Sequence, residues 1–222
     1  GLADDLIYPD KAALIPELVK TLPYKFFATS SIDALIHSIE SFVSPNATYY
    51  SRIFSKEAMT IILGCYKKVV SGENWNKYAK DFLYASNLAG IAFNNAGCGA
   101  VHALSYPLGG TYHIPHGEAN MLMFEAVFKK YREKDPSGKI NDLYFVLSDV
   151  LCCDKEVALD EMFKLLDFIL KRNPLNTYGV KKEELLEFAK SVIQNQGRLL
   201  ANNYTSLSED EMLEIYESVF DK

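Results

Sequence analysis

The chain has 222 residues, 49% hydrophobic and 23% charged, the balance of an ordinary globular protein with enough length for a substantial core. Its net charge of −6, without a run of four or more Lys or Arg, excludes nucleic acid as the main partner. No apolar stretch approaches the roughly 20 residues needed to cross a bilayer, which excludes a membrane-spanning role.

"KAALIPELV" (11–19) alternates like a strand, and Pro16 makes it an edge strand or a connector, so the chain is expected to open on a short extended arm. From residue 29 onward the apolar period is that of helices. Ile32, Leu35, Ile36, Ile39, Phe42 and Val43 share one face, and "SP" at 44–45 stops that helix. A helix over about 51–71 turns Ile53, Phe54, Met59, Ile62 and Leu63 inward and ends at Gly72. A third, over about 76–95, carries Ala85, Ala89, Gly90 and Ala92, small residues that let helices approach closely. Further helical patterns cover 118–132, 140–151, 155–171, 181–201 and 208–220. Ser208 and Glu211 form a capping box at the start of the last. The fold class is therefore all-α. Cys65, Cys98, Cys152 and Cys153 form no C-x-x-C pair and read as reduced thiols of a cytoplasmic protein.

The chain has four histidines, and three lie within fifteen residues, in "GAVHALSYPLGGTYHIPHGEAN" (99–120). Gly109, Gly110 and Pro115 force a reversal between His102 and His116, which can return the two imidazoles towards each other. The fourth, His37, follows Asp33 by four residues in "SSIDALIHSIE", so the pair projects from one helix face. Asp33, His37 and Glu40 make a polar stripe beside the apolar one. Two readings stand side by side. With Ser30 as N-cap, Asp33 belongs to a capping box and His37 is a surface residue. Alternatively, imidazoles from separate segments and one carboxylate make an N3O set suited to Fe(II) or Zn(II).

"SSIDALIHSIE" and "GAVHALSYPLGGTYHIPHGEAN" resemble the two metal-binding signatures of the iron-containing (group III) alcohol dehydrogenase family. The resemblance covers essentially the whole chain. It implies Asp33, His37, His102 and His116 as the ligands of one divalent metal, Fe2+ or Zn2+, in the helical domain of the dehydroquinate synthase-like fold; His113 has no ligand role in the pattern. Many members carry a second histidine four residues after the first, close to the nicotinamide. Here Tyr106 stands in that place, and a phenol, with an ordinary pKa of about 10, is a poorer base near neutrality than imidazole.

"LPYKFFATSSIDALIHSIESFVSPNA", "NAGCGAVHALSYPLGG" and "NQGRLLANNY" are closest to the branch of the family that acts on a 4-hydroxy acid. Such a substrate needs a cation for its carboxylate, and Lys25 and Arg198 are candidates because each stands in an otherwise uncharged stretch. Arg198 could equally run along its helix to solvent. The family's nucleotide-binding domain carries a glycine-rich turn for NAD(P). Only "GCGA" (97–100) and "LGG" (108–110) occur here, neither after a strand pattern. The chain is thus expected to comprise a connector (1–22) and the helical metal domain (23–222), with NAD(P) bound elsewhere in a full-length homo-oligomer acting on small alcohols and aldehydes. Another iron- or zinc-dependent alcohol or polyol dehydrogenase of the same superfamily and a non-catalytic helical binding module are the alternatives.

Overall fold

The computed structural model describes Leu6 and residues 9–221, and the earliest part of the expected arm lies outside them. Within the described residues the arm is not a strand. Ile15 is extended, and Pro16–Val19 form a short 3-10 helix with Pro16 at its start, where a missing N–H costs nothing.

Helix α1, Tyr24–Val43, starts directly after Pro23. Ser30 therefore lies inside the helix and is no N-cap, so the capping-box reading of Asp33 falls. Helix α1 is buried on most of its circumference, and its hydroxyls are satisfied by bonding back to the preceding turn: Ser38 to the Leu35 carbonyl and Ser41 to that of His37. Ser44 and Pro45 end it as expected.

Thr48 and Ser51 cap each other and open α2, Tyr49–Val70. Its buried stripe is Ser51, Ser55, Ala58, Met59, Ile62, Leu63, Cys65 and Tyr66. Ile53 lies across the helix from that stripe and is 48% exposed, contrary to expectation. Helix α3, Ala79–Ala96, packs on α1 and α2 through Ala85, Ala89 and Ala92, all fully buried.

Helix α4, Ala100–Tyr112, runs through Pro107, Gly109 and Gly110. The expected reversal falls later, at His113–Pro115, where His113 takes a left-handed conformation (φ 55°). Helix α5, His116–Lys134, follows Pro115. Helices α6 (Lys139–Leu151) and α7 (Ala158–Ile169) close over α2. The helix expected over 181–201 is broken into a 3-10 turn at Lys182–Glu184, α8 (Leu185–Asn195) and α9 (Gly197–Leu200). Helix α10, Glu209–Ser218, carries the expected Ser208–Glu211 box. One contiguous apolar cluster draws residues from every helix from α1 to α10, the short α9 included through Leu199. No strand occurs among the described residues.

Candidate metal centre

Three helices bring the site together. Asp33 and His37 come from successive turns of α1, His102 from the first turn of α4, and His116 is the first residue of α5. Gly117 sets the approach of α5 to α1: a Cβ there would stand 2.1 Å from the Thr29 carbonyl oxygen and 3.3 Å from Asp33 Cβ. Only glycine lets the backbone after His116 lie against α1.

One ligating atom from each of Asp33, His37, His102 and His116 lies within 4.8 Å of the other three. Asp33 Oδ1 is 3.6 Å from His102 Nε2 and 3.7 Å from His116 Nε2, and Asp33 Oδ2 is 3.9 Å from His37 Nδ1. These separations are too long for hydrogen bonds. They suit two donors that each stand about 2.0–2.2 Å from a shared ion. The His37 and His102 rings stack at 4.6 Å, and Phe93 stacks on the other face of His37 at 4.8 Å. His102 Nε2 is buried and has no hydrogen-bond partner. A polar atom left so would cost free energy unless something else occupies it, so the donor set fits a divalent cation.

The electrostatics agree. Burial raises the Asp33 carboxyl, but His102 and the other two imidazoles outweigh it and hold it at about 2. Burial pushes His37 down to about 4, with Asp33 only partly opposing, and lowers His116 as well. Both rings are therefore neutral near pH 7 and can donate lone pairs. Burial also disfavours charge on His102, yet Cys98, Asp33 and Glu40 together raise it well above the ordinary histidine value.

Two residues of the site are not singled out by sequence reasoning. Asn120, fully buried, donates from Nδ2 to Asp33 Oδ1 at 2.7 Å and lies 3.2 Å from His116 Nε2. Its signal was its place one helical turn after His116. Glu40 lies against His102 Nδ1 at 2.6 Å and is 2% exposed; the sequence marks it only as part of the polar stripe.

The remaining candidates separate. His113 is exposed at the α4 C-terminus, outside the cluster. Tyr106 is partly exposed, its ring 6.1 Å from that of His116. A cavity of about 340 Å³ opens over the cluster, lined by Thr29, Ser30, Asp33, His37, Ser86 and His116 among others. Lys25 lies one turn before Thr29 on α1 and pairs with Glu118 at 3.2 Å, while Tyr178 donates to the other Glu118 oxygen. Arg198 is exposed on α9, and neither it nor Lys25 is among the residues lining that cavity.

Helices that gather one carboxylate and three imidazoles at a single point define a class, the helical metal-site domain. Residues 27–220 match the sequence model described as "Fe-containing alcohol dehydrogenase family, C-terminal", and the chain belongs to this family. It is 52% identical to the 4-hydroxybutyrate dehydrogenase of Clostridium kluyveri, a match covering 99% of this chain and 60% of that protein. Long-chain-alcohol dehydrogenase 1 of Geobacillus thermodenitrificans is 32% identical over 97% of this chain and 55% of its own length. Among solved structures, a 1,3-propanediol oxidoreductase superposes with a TM-score of 0.79 at 27% identity, covering 92% of this chain and 54% of that one. An iron-containing alcohol dehydrogenase from Thermococcus thioreducens shares the fold at a TM-score of 0.81 and 24% identity, over 99% of this chain and 57% of that one. The chain thus spans 60% or less of the length of these relatives.

Proposed function

We propose that this chain is the metal-binding half of an NAD(P)-dependent dehydrogenase that interconverts 4-hydroxybutyrate and succinate semialdehyde. The convergence of Asp33, His37, His102 and His116 carries the reading, and the 52% identity to a 4-hydroxybutyrate dehydrogenase supports the substrate. These four side chains would hold Fe2+ or Zn2+, two ions that accept the same donors. When bound, the ion supplies Lewis acidity, which eases deprotonation of an alcohol and reduction of an aldehyde. Hydride chemistry belongs to the nicotinamide, held by a nucleotide domain outside these 222 residues.

The protein's own groups do the rest. Asp33, ionised above about pH 2, gives the donor set one negative charge. Neutral His37 and His116 add lone pairs without adding repulsion. Phe93 closes one side of the His37 ring against water. Tyr106, its ring 6.1 Å from that of His116, would hydrogen-bond a substrate oxygen. Lys25 is the better carboxylate partner of the two cations, because its helix lines the cavity. On the same reading the full protein is a cytoplasmic homo-oligomer whose partners are small alcohols and aldehydes.

The test compares kcat/KM for 4-hydroxybutyrate and 1-butanol in the full-length enzyme. A strong preference for the hydroxy acid is expected, and Lys25→Met should reduce it about tenfold, or about 1.4 kcal/mol, modest because the Lys25 side chain is 63% exposed. Equal turnover of the two alcohols would remove the substrate assignment. An unchanged preference in Lys25→Met beside a loss in Arg198→Met would exchange the two cations.

A further inference from the structure

Glu40 lies two helical turns beyond Asp33 on α1, and both of its oxygens are engaged. Oε1 accepts from the Val101 backbone N–H at 2.8 Å, and Oε2 lies 2.6 Å from His102 Nδ1. The Val101 N–H belongs to the first turn of α4, where it has no partner within the helix. A backbone N–H can only donate, so Oε1 must accept. Glycine at residue 99 leaves room for this approach, since a Cβ there would stand 3.3 Å from Oε1 and 2.8 Å from Asn203 Oδ1. Cys98 is the third member of this buried group. On the far side of the ring, His102 Nε2 is buried, without a hydrogen-bond partner, 3.6 Å from Asp33 Oδ1.

We propose that Glu40 is a positioning residue that holds the Nδ1–H tautomer of neutral His102, so that the Nε2 lone pair faces Asp33, His37 and His116. This rests on the reading of those residues as a metal site. The neutral ring has one proton for two nitrogens, and an acceptor-only carboxylate at Nδ1 draws it there. A carboxylate is also the one side chain of this length with two acceptors for the two N–H groups that converge on it.

Glu40→Gln separates this role from simple packing, since it keeps the shape and replaces one acceptor by a donor. If the glutamine oxygen stays with Val101, its NH2 faces Nδ1 and drives the proton to Nε2. The measurement is a long-range 1H–15N correlation spectrum of the metal-free 222-residue chain, at a pH alkaline enough to leave His102 neutral. Zn2+ titration of both proteins accompanies it. The expected result is Nδ1–H in the wild type, Nε2–H in Glu40→Gln, and Zn2+ affinity about 10–100-fold weaker in the variant. Nε2–H in the wild type would overturn the proposal whether or not the variant folds. So would a folded variant with unchanged tautomer and affinity. A wild type that shows Nδ1–H but binds no Zn2+ would support the tautomer lock and contradict the metal site itself.

Discussion

At the scale of single residues, His113 and His116 are three positions apart and differ in every property that matters. His116 has Nε2 3.7 Å from Asp33, whereas His113 is the exposed, left-handed end of α4. His113→Ala should leave metal content intact. His116→Ala should weaken binding beyond the roughly 10–100-fold carried by outer partners, and metal analysis after dialysis reads both. Protons follow the same geometry. His37 and His116 titrate below the ordinary histidine value, so neither competes with an ion at neutral pH. His102 titrates well above it, so its Nε2 proton must leave. Metal affinity should therefore rise with pH up to the raised His102 value, with about one proton released per ion, measured by calorimetry in buffers of different ionisation enthalpy. Without metal, the depressed His37 works against acid stability: the unfolded chain takes up its proton from about pH 6.5, the folded chain only near 4. Stability should fall across that window, and the Asp33 contribution should follow below pH 3.8. The four clustered side chains could be read from the sequence because each stands in a short signature. Glu40 and Asn120 could not, because their roles depend on which helix packs opposite them.

At the scale of elements, the site depends on how closely α5 approaches α1. Gly117 is the contact point, and an alanine methyl would collide with the Thr29 carbonyl, a backbone group that cannot turn aside. Gly117→Ala should cost about 1–3 kcal/mol of stability by urea unfolding and weaken metal binding as His116 moves away from Asp33. A neutral effect on both would mean that the two helices have room to spare. The helices themselves were visible in the apolar period, but some of their ends were not. Helix α1 begins at Tyr24 rather than Ser30: Pro23 is extended at the N-cap position, and its carbonyl accepts from the Phe26 and Phe27 N–H groups. Helix α4 absorbs Gly109 and Gly110, two residues that favour a turn in isolation, because Leu104 and Leu108 are fully buried around them. Tertiary packing overrode local preference there.

At the scale of the whole molecule, one apolar cluster links α1 with nearly every other helix, so the chain should fold cooperatively by itself. Its glycine-rich segments do not make a phosphate cradle. Gly97 is faced by the Asn202 side chain and Gly99 by that of Asn203, while Gly109 and Gly110 lie within α4. Calorimetric titration of the 222-residue chain with NAD should therefore show no measurable binding. Saturable heat with micromolar affinity would mean that a nucleotide site has been overlooked. The central claim is that Asp33, His37, His102 and His116 hold one divalent ion. It is tested most directly by a crystal structure of the chain soaked in Zn2+, with anomalous scattering collected at the zinc edge. The account predicts one dominant peak about 2.0–2.2 Å from a ligating atom of each of the four side chains. A strongest peak elsewhere, or none at this cluster under saturating Zn2+, would contradict it.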